Sequence, residues 1–208
     1  MHILIADDHQ VVRKGLVQII KDEFPEAHCE ETGGGRETLE KLRAKAFDIA
    51  ILDITMPDVS GLDVIRQLKA ENNKTPVLIL TSQPEEQYAI RVIKAGAYGF
   101  IGKEVASEEL TTAIRRILSG RKYITESLSE KLANDLSADT IKAPHELLSD
   151  REFEVMKHLA SGKTVSEISE LLFLSVPTIS TYRTRVLKKL NLKNNAELMH
   201  YAVNLKLV

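Results

Sequence analysis

Three acids, a hydroxyl and an ammonium group stand at comparable places along the chain. Asp7 and Asp8 follow the apolar run Ile3-Leu4-Ile5-Ala6, and Asp53 follows Ile49-Ala50-Ile51-Leu52. Thr81 follows Val77-Leu78-Ile79-Leu80, and Lys103 follows Tyr98-Gly99-Phe100-Ile101. Carboxylates that share a pocket repel, and one of them must hold a proton unless a cation intervenes. Mg2+ suits that place, because it prefers hard oxygen ligands, keeps several waters and often bridges to phosphate. An ionised Asp53 beside Mg2+ can attack a phosphoryl group and form an aspartyl phosphate. The cation, Lys103 and the Thr81 hydroxyl then stabilise charge on the phosphoryl oxygens. Any one of these residues is as readily a solvated group at a strand end; the full set in strand order is not.

This chemistry needs elements that bring distant residues to one edge. Each apolar run is short and continuous, as expected of a strand buried on both faces. Amphipathic stretches at about 9–22, 35–45, 61–70, 84–94 and 107–119 lie between them. This alternation predicts a parallel sheet covered by helices on both sides. Residues 27–32 are more polar and suit an edge strand. Ligands of such sheets bind at the carboxyl ends of the strands, which is where all five residues fall. Gly33-Gly34-Gly35 lacks the spacing and the Lys-Ser/Thr of a phosphate loop, so it reads as a turn before a helix.

Beyond Gly120 the pattern changes. Residues 121–145 carry a weak helical pattern around Leu128, Leu132 and Leu136, broken at Ala143-Pro144-His145, and read as a linker with one helix. Residues 146–208 show helices only. Ser149-Asp150-Arg151-Glu152 and Thr164-Val165-Ser166-Glu167 are capping boxes. Ser175 caps a third helix with Pro177 in its first turn, and a fourth runs from about Asn195 to Asn204. In the second helix, Ile168 and Leu171 are expected to pack inward. In the third, Ile179, Val186, Leu187 and Leu190 form an apolar stripe. Ser180, Thr181, Thr184, Arg185 and Lys188 form another, with short hydroxyls that approach base edges beside cations that reach phosphates. No acid occurs from 171 to 196. With the short joint Phe173-Leu174, this predicts a helix-turn-helix whose second helix reads DNA.

Composition agrees with both halves. The 208 residues carry net charge −2, yet residues 146–208 hold nine Lys and Arg against seven acids, so the remainder is the acidic part. The basic segment suits nucleic acid and the acidic one does not. The single cysteine, Cys29, gives no intrachain disulfide. The start lacks a signal-peptide pattern, and no window reaches the roughly 20 apolar residues of a membrane span. A cytoplasmic protein is expected. The six histidines lack zinc-site spacing, and His9 is given no chemistry.

Asp7-Asp8 after a strand, Asp53-x-x-x-Pro57-x-x-x-Gly61, Thr81 and Lys103 together resemble the receiver domain of two-component response regulators, over residues 1–120. The resemblance implies an α/β flavodoxin-like fold with strand order 2-1-3-4-5. It makes Asp53 the phosphoacceptor and Asp8 the main acidic Mg2+ ligand, with Asp7 helping through water. Thr55 lends a backbone carbonyl to the metal, and Thr81 and Lys103 contact the phosphate. Phe100 matches the switch aromatic, unless it is a plain core or surface residue. A dehalogenase-type phosphatase needs a second Asp two residues after its nucleophile, where Thr55 stands, so no enzyme is expected.

Residues 148–190, with Glu154-Val155, Gly162, Glu167-Ile168, Leu174-Ser175 and Thr178-Ile179, resemble the LuxR-type DNA-binding domain, a small all-α helix-turn-helix unit. Together the halves resemble the NarL/FixJ class, and Ser180-Thr181-Tyr182 is most similar to the branch with the Bordetella virulence regulator. The implied organisation is a receiver at 1–120, a linker at 121–145 and a DNA-binding domain at 146–208. The implied partners are a sensor histidine kinase, DNA and a second copy of the chain. Thr178, Ser180, Thr181, Tyr182, Arg183, Thr184, Arg185 and Lys188 are the expected DNA contacts. Three departures stand out. Phe173 occupies a turn position often held by Gly, which implies a different backbone there. Arg183 replaces an apolar residue, so either its stem packs while its head reaches a phosphate, or the helix is rotated. Ser180 replaces a frequent Lys. The helix at 195–204 (Ala196, Leu198, Met199, Ala202) either forms a dimer contact or closes the core.

Overall fold

The computed structural model describes residues 1–126, 128–130, 132 and 143–208. The chain divides into two compact units, Met1–Ser137 and Ala138–Val208.

The first unit alternates strand and helix: β1 (His2–Ala6), α1 (Gln10–Glu23), β2 (His28–Thr32), α2 (Gly35–Ala44), β3 (Ile49–Leu52), α3 (Gly61–Ala70), β4 (Val77–Thr81), α4 (Glu85–Ala95), β5 (Gly99–Gly102) and α5 (Ala106–Leu118). The five strands form one parallel sheet in the order β2-β1-β3-β4-β5. Every residue of β3 and β4 is buried, whereas β2 at the edge is mostly half-exposed. That contrast is the physical source of the difference between apolar central runs and the polar 27–32 segment. One core lies between the sheet, α1 and α5: Ile3, Ile5, Ile20, Ile49, Ile51, Leu78, Leu80, Leu110 and Ile114 are all 1% exposed or less. Order reversal between β1 and β3 opens the crevice at their carboxyl ends.

The turn expected at Gly33-Gly35 is present. Gly34 caps α2, and the carboxylate of Asp58, itself at φ +67°, accepts from Gly35 N (3.0 Å) and Arg36 N (3.3 Å). The β3–α3 loop is thereby tied to the start of α2.

After Gly120 (φ +79°) the chain turns back on the unit. Residues 126, 128–130 and 132 are helical, and Leu128 is 1% exposed. Leu136, part of the expected linker helix, lies outside the described residues.

The second unit begins with a short 3-10 turn, Pro144–Leu147, and continues as α6 (Asp150–Ala160), α7 (Val165–Leu171), α8 (Val176–Leu190) and α9 (Asn195–Asn204). Both expected capping boxes are formed, Ser149 with Glu152 and Thr164 with Glu167. Ile168 is fully buried, but Leu171 is 49% exposed, against the expectation. Leu172, four residues after Ile168 and 8% exposed, takes the inward place, because α7 ends at Leu171 and its last turn carries the next residue toward the core. Phe153, Val155, Met156, Val186, Leu198 and Ala202 complete this core, each 1% exposed or less. Among the described residues, no helix is long and apolar enough to cross a membrane.

Candidate functional sites: an acidic strand-end pocket and a basic recognition helix

The carboxyl edge of the sheet gathers the side chains singled out in the sequence. Asp7 comes from the end of β1, Asp53 from the end of β3, Thr81 from the last residue of β4 and Lys103 from the residue after β5. Asp7, Asp53 and Thr81 are each 5% exposed or less. Lys103 Nζ donates to Asp53 Oδ2 at 2.7 Å and lies 2.5 Å from Asp7 Oδ2, an ion-pair contact rather than an aligned hydrogen bond. Burial opposes the charged amine, but the contacts and charges of Asp53 and Asp7 outweigh it and hold the Lys103 ammonium above its ordinary pKa.

Asp7, Asp8, His9 and Asp53 each offer one ligand atom, all within 4.8 Å of one another. Three carboxylates against one ammonium leave the pocket short of positive charge. The donor set, rich in hard oxygen, fits a divalent cation. His9, which the sequence left without a role, is part of this cluster. Its backbone N–H donates to Asp7 Oδ1 at 2.8 Å, and its Nδ1 lies 2.7 Å from Asp8 Oδ1. Spacing gave no signal for it, because it has no histidine or cysteine partner; adjacency to the acid pair was the only clue.

The rim is built by the loops. Thr55 N donates to Asp53 Oδ1 at 3.3 Å, and Thr55 Oγ1 accepts from Gln83 Nε2 at 3.2 Å. Gln83 N in turn donates to Thr81 Oγ1 at 3.3 Å. Gln83 escaped the sequence reading because nothing in its type or spacing marked it. A Cβ on Gly61 would sit 2.1 Å from the Asp53 carbonyl oxygen. The Asp53-to-Gly61 spacing thus reflects a helix start that presses directly on the backbone of Asp53. Phe100 is 3% exposed on β5, paired with Ile79.

In the second unit, α8 buries Ile179, Val186, Leu187 and Leu190, the expected stripe. Ser180, Thr181, Thr184, Arg185 and Lys188 are exposed on the opposite side, and Thr178, Tyr182 and Arg183 are half-buried. Several of these groups already have partners. Thr178 Oγ1 lies 2.7 Å from the Ser175 cap, and the Thr181 and Thr184 hydroxyls donate to the carbonyls of Pro177 and Ser180. Arg183 Nε donates to Asn195 Oδ1 at 2.7 Å, tying α8 to the start of α9. Lys189 binds the buried Glu152 at 2.6 Å. Arg183, Arg185 and Lys188 have no ion-pair partner among the described residues, and of these Arg185 and Lys188 also lack a side-chain hydrogen bond there, so theirs are the α8 cations least committed to the fold.

The joint before α8 corrects one expectation. Phe173 has φ +52°, the left-handed backbone glycine favours, so the residue departs from the common pattern and the backbone does not. The Phe173 side chain is 66% exposed and gains little burial in return. On α9, Leu198 and Ala202 are buried and close the core, while Ala196, Met199 and Val203 form an exposed stripe.

A doubly wound sheet with an acid pocket, followed by a helix-turn-helix unit, defines a signalling protein that acts on DNA. Comparison with known proteins sharpens the class. Residues 3–115 match the family described as the response regulator receiver domain, and residues 146–202 match the bacterial regulatory proteins of the luxR family. The response regulator UvrY of Escherichia coli K12 is 32% identical over 204 residues, covering 98% of this chain and 94% of UvrY. The oxygen regulatory protein NreC of Staphylococcus carnosus is 34% identical over 215 residues, covering 100% and 99%. The two-component response regulator RcsB, solved in complex with DNA, superposes with a TM-score of 0.59 at 25% identity and 98% coverage of both chains. The chain belongs to the two-component response regulators of the NarL/FixJ class: it is a DNA-binding transcription regulator with a receiver domain and a LuxR-type helix-turn-helix.

Proposed function

We propose that Asp53 is the phosphoacceptor and that its phosphorylation by a sensor histidine kinase controls dimerisation and sequence-specific DNA binding. The observation that carries this reading is Lys103 Nζ, held between Asp53 and Asp7 at 2.7 and 2.5 Å in a pocket of three carboxylates. A carboxylate oxygen of Asp53 attacks the phosphorus of the donor. An acyl-phosphate bond forms as the phosphorus–nitrogen bond to the kinase histidine breaks, and the imidazole leaves with the electron pair. Asp8 and Asp53, with the Thr55 carbonyl, would hold Mg2+, and Asp7 would act through water. The bound cation would supply charge neutralisation at the phosphoryl oxygens. Lys103 exchanges its carboxylate contacts for a phosphoryl oxygen, and the Thr81 hydroxyl donates to another. Phe100, on the strand beside Thr81, is the switch aromatic.

On DNA, Arg185 and Lys188 meet phosphates or base edges. Thr178, Ser180, Thr181, Tyr182, Arg183 and Thr184 line the same helix, the Arg183 head being partly committed to Asn195. One recognition helix reads few base pairs, so paired half-sites and a homodimer are expected. The stripe Ala196, Met199 and Val203 is the free apolar surface of α9 for that contact. The domains divide as 1–120, 121–145 and 146–208, in keeping with the family matches. The Ser180-Thr181-Tyr182 stretch is the feature that favours the branch of the Bordetella virulence regulator, and the class favours a cytoplasmic protein.

Intact mass after incubation with acetyl phosphate tests the acceptor. One phosphoryl group should be gained with Mg2+, and none by Asp53→Asn. No gain by the wild type under any condition would leave a constitutive DNA-binding protein with a silent receiver.

A further inference from the structure

β5 is an edge strand, and edge strands leave backbone groups unpaired. In this chain the edge is covered by a short piece of the segment that leads to the DNA-binding unit. Tyr123 forms a parallel bridge with Gly99, its N–H donating to the Tyr98 carbonyl at 2.7 Å. The approach is close: a Cβ on Gly99 would lie 2.9 Å from the Tyr123 carbonyl oxygen and 3.1 Å from its Cβ, as well as 2.9 Å from the flexible end of Leu78, Cδ1. Gly99 is therefore the residue that lets the strap lie flat on the edge.

The same tyrosine reaches a second element. Its hydroxyl donates to Glu109 Oε2 at 3.0 Å, in the first turn of α5. Its ring packs on the core that includes Ile101, Leu110 and Ile114. Burial, with Glu109 adding to it, pushes the phenol up to about 12, so the hydroxyl remains a donor across the physiological range. Two residues on, Thr125 Oγ1 accepts from Leu128 N at 3.3 Å, and Leu128 is buried. The strap is thus pinned by its backbone to β5, by its side chain to α5, and by Leu128 beyond.

What joins β5 to α5 is the turn that starts at Lys103. Lys103 is the group that must trade Asp53 and Asp7 for a phosphoryl oxygen when Asp53 is modified. The turn that Lys103 opens is the backbone nearest to that exchange, and it joins the two elements that Tyr123 spans. A contact that needs both in register is placed to sense a shift there, and it sits on the chain leading to the second unit.

We propose that Tyr123 is a positioning residue that couples the pocket to the DNA-binding unit: phosphorylation of Asp53 loosens the Tyr123 strap from β5 and α5. The inference rests on Asp53 being the acceptor.

Hydrogen exchange of the full chain tests it, with intact mass recorded on the same samples before and after acetyl phosphate and Mg2+. The Tyr123 amide, protected in the unmodified chain, should exchange at least about tenfold faster once Asp53 is phosphorylated, since losing its bridge removes the bond that protects it. Gly99→Ala should expose that amide in both states. Tyr123→Phe, which keeps the backbone bond and loses only Glu109, should weaken protection partway. Both variants should take up phosphate as the wild type does. Both should shrink the ratio of phosphorylated to unphosphorylated affinity for a duplex enriched from a random pool on the phosphorylated wild type. That ratio is indifferent to a merely structural role. A phosphorylated wild type whose Tyr123 amide is unmoved would overturn the strap. So would variants with an unchanged affinity ratio. A chain that takes no phosphoryl group would instead defeat the reading of Asp53.

Discussion

The two candidate sites are built on opposite plans. In the strand-end pocket, buried groups of opposite charge meet, Lys103 against Asp53 and Asp7, and the carboxylates still outnumber the ammonium. On α8 the charges are divided: Arg183 and Lys189 serve the fold, and Arg185 and Lys188 face solvent. A buried pocket must have all its members at once, because an unpaired buried charge is costly. A solvated face can lend some of its cations to packing and keep others for a ligand. The difference teaches that in the pocket residue type decides which groups can pair, whereas on α8 position on the helix decides which cations stay in solvent.

Substitutions can break that contrast, and the largest effect is expected at Asp53. Asp53→Asn should abolish phosphoryl uptake outright while leaving DNA contacts intact, as read by intact mass and by a mobility-shift assay.

Next is Glu152, the one buried charge of the second unit among the described residues. Burial alone would raise its pKa, but the hydrogen bonds from Lys189 and Ser149 prevail and lower it. A carboxylate with a depressed folded value stabilises above its unfolded pKa, and that contribution is lost as pH falls through the folded value. The helix-turn-helix unit should therefore lose stability below about pH 4, near the ordinary carboxylate value. Glu152→Ala should cost about 2–3 kcal/mol in urea unfolding, combining a lost cap with a pair whose lysine is partly exposed, and should flatten the acid limb of that profile.

Arg185→Ala and Lys188→Ala should each weaken DNA binding by about 1–2 kcal/mol, and each should reduce the salt slope by about one if it meets a phosphate. Arg183→Ala should act first on stability, through Asn195. Equal effects of Arg183 and Arg185 on the salt slope would erase the division drawn between them.

The smallest effect is at the joint. Phe173→Gly relieves a left-handed conformation and should raise stability by about 0.5–1 kcal/mol, since glycine adopts it freely but loses more entropy on folding. A loss of stability would mean that the partly exposed ring contributes more than its backbone costs.

The pocket was legible because strand-end acids and a parallel sheet leave few ways to arrange Asp7, Asp53, Thr81 and Lys103. The helices of the second unit were legible through Ser149, Thr164 and Ser175, whose side chains cap them as their types suggest. What escaped were facts of three-dimensional proximity. Leu171 and Leu172 are chemically identical, and only the end of α7 decides which turns inward. His9 and Gln83 enter the pocket through loop geometry. Nothing in sequence ties Arg183 to Asn195, or Tyr123 to Gly99 and Glu109. Phe173 shows the converse limit: a residue type poorly suited to a backbone conformation does not prevent the conformation when both flanking helices demand it.

The most direct test of the account is the affinity of the wild type for an enriched duplex, measured by fluorescence anisotropy at fixed salt with Asp53 free and phosphorylated, beside Asp53→Asn. Binding at least about tenfold tighter on phosphorylation, the ordinary scale of a coupling between sites, with no response in the variant, is the predicted result. Equal affinities in the free and phosphorylated wild type would contradict it.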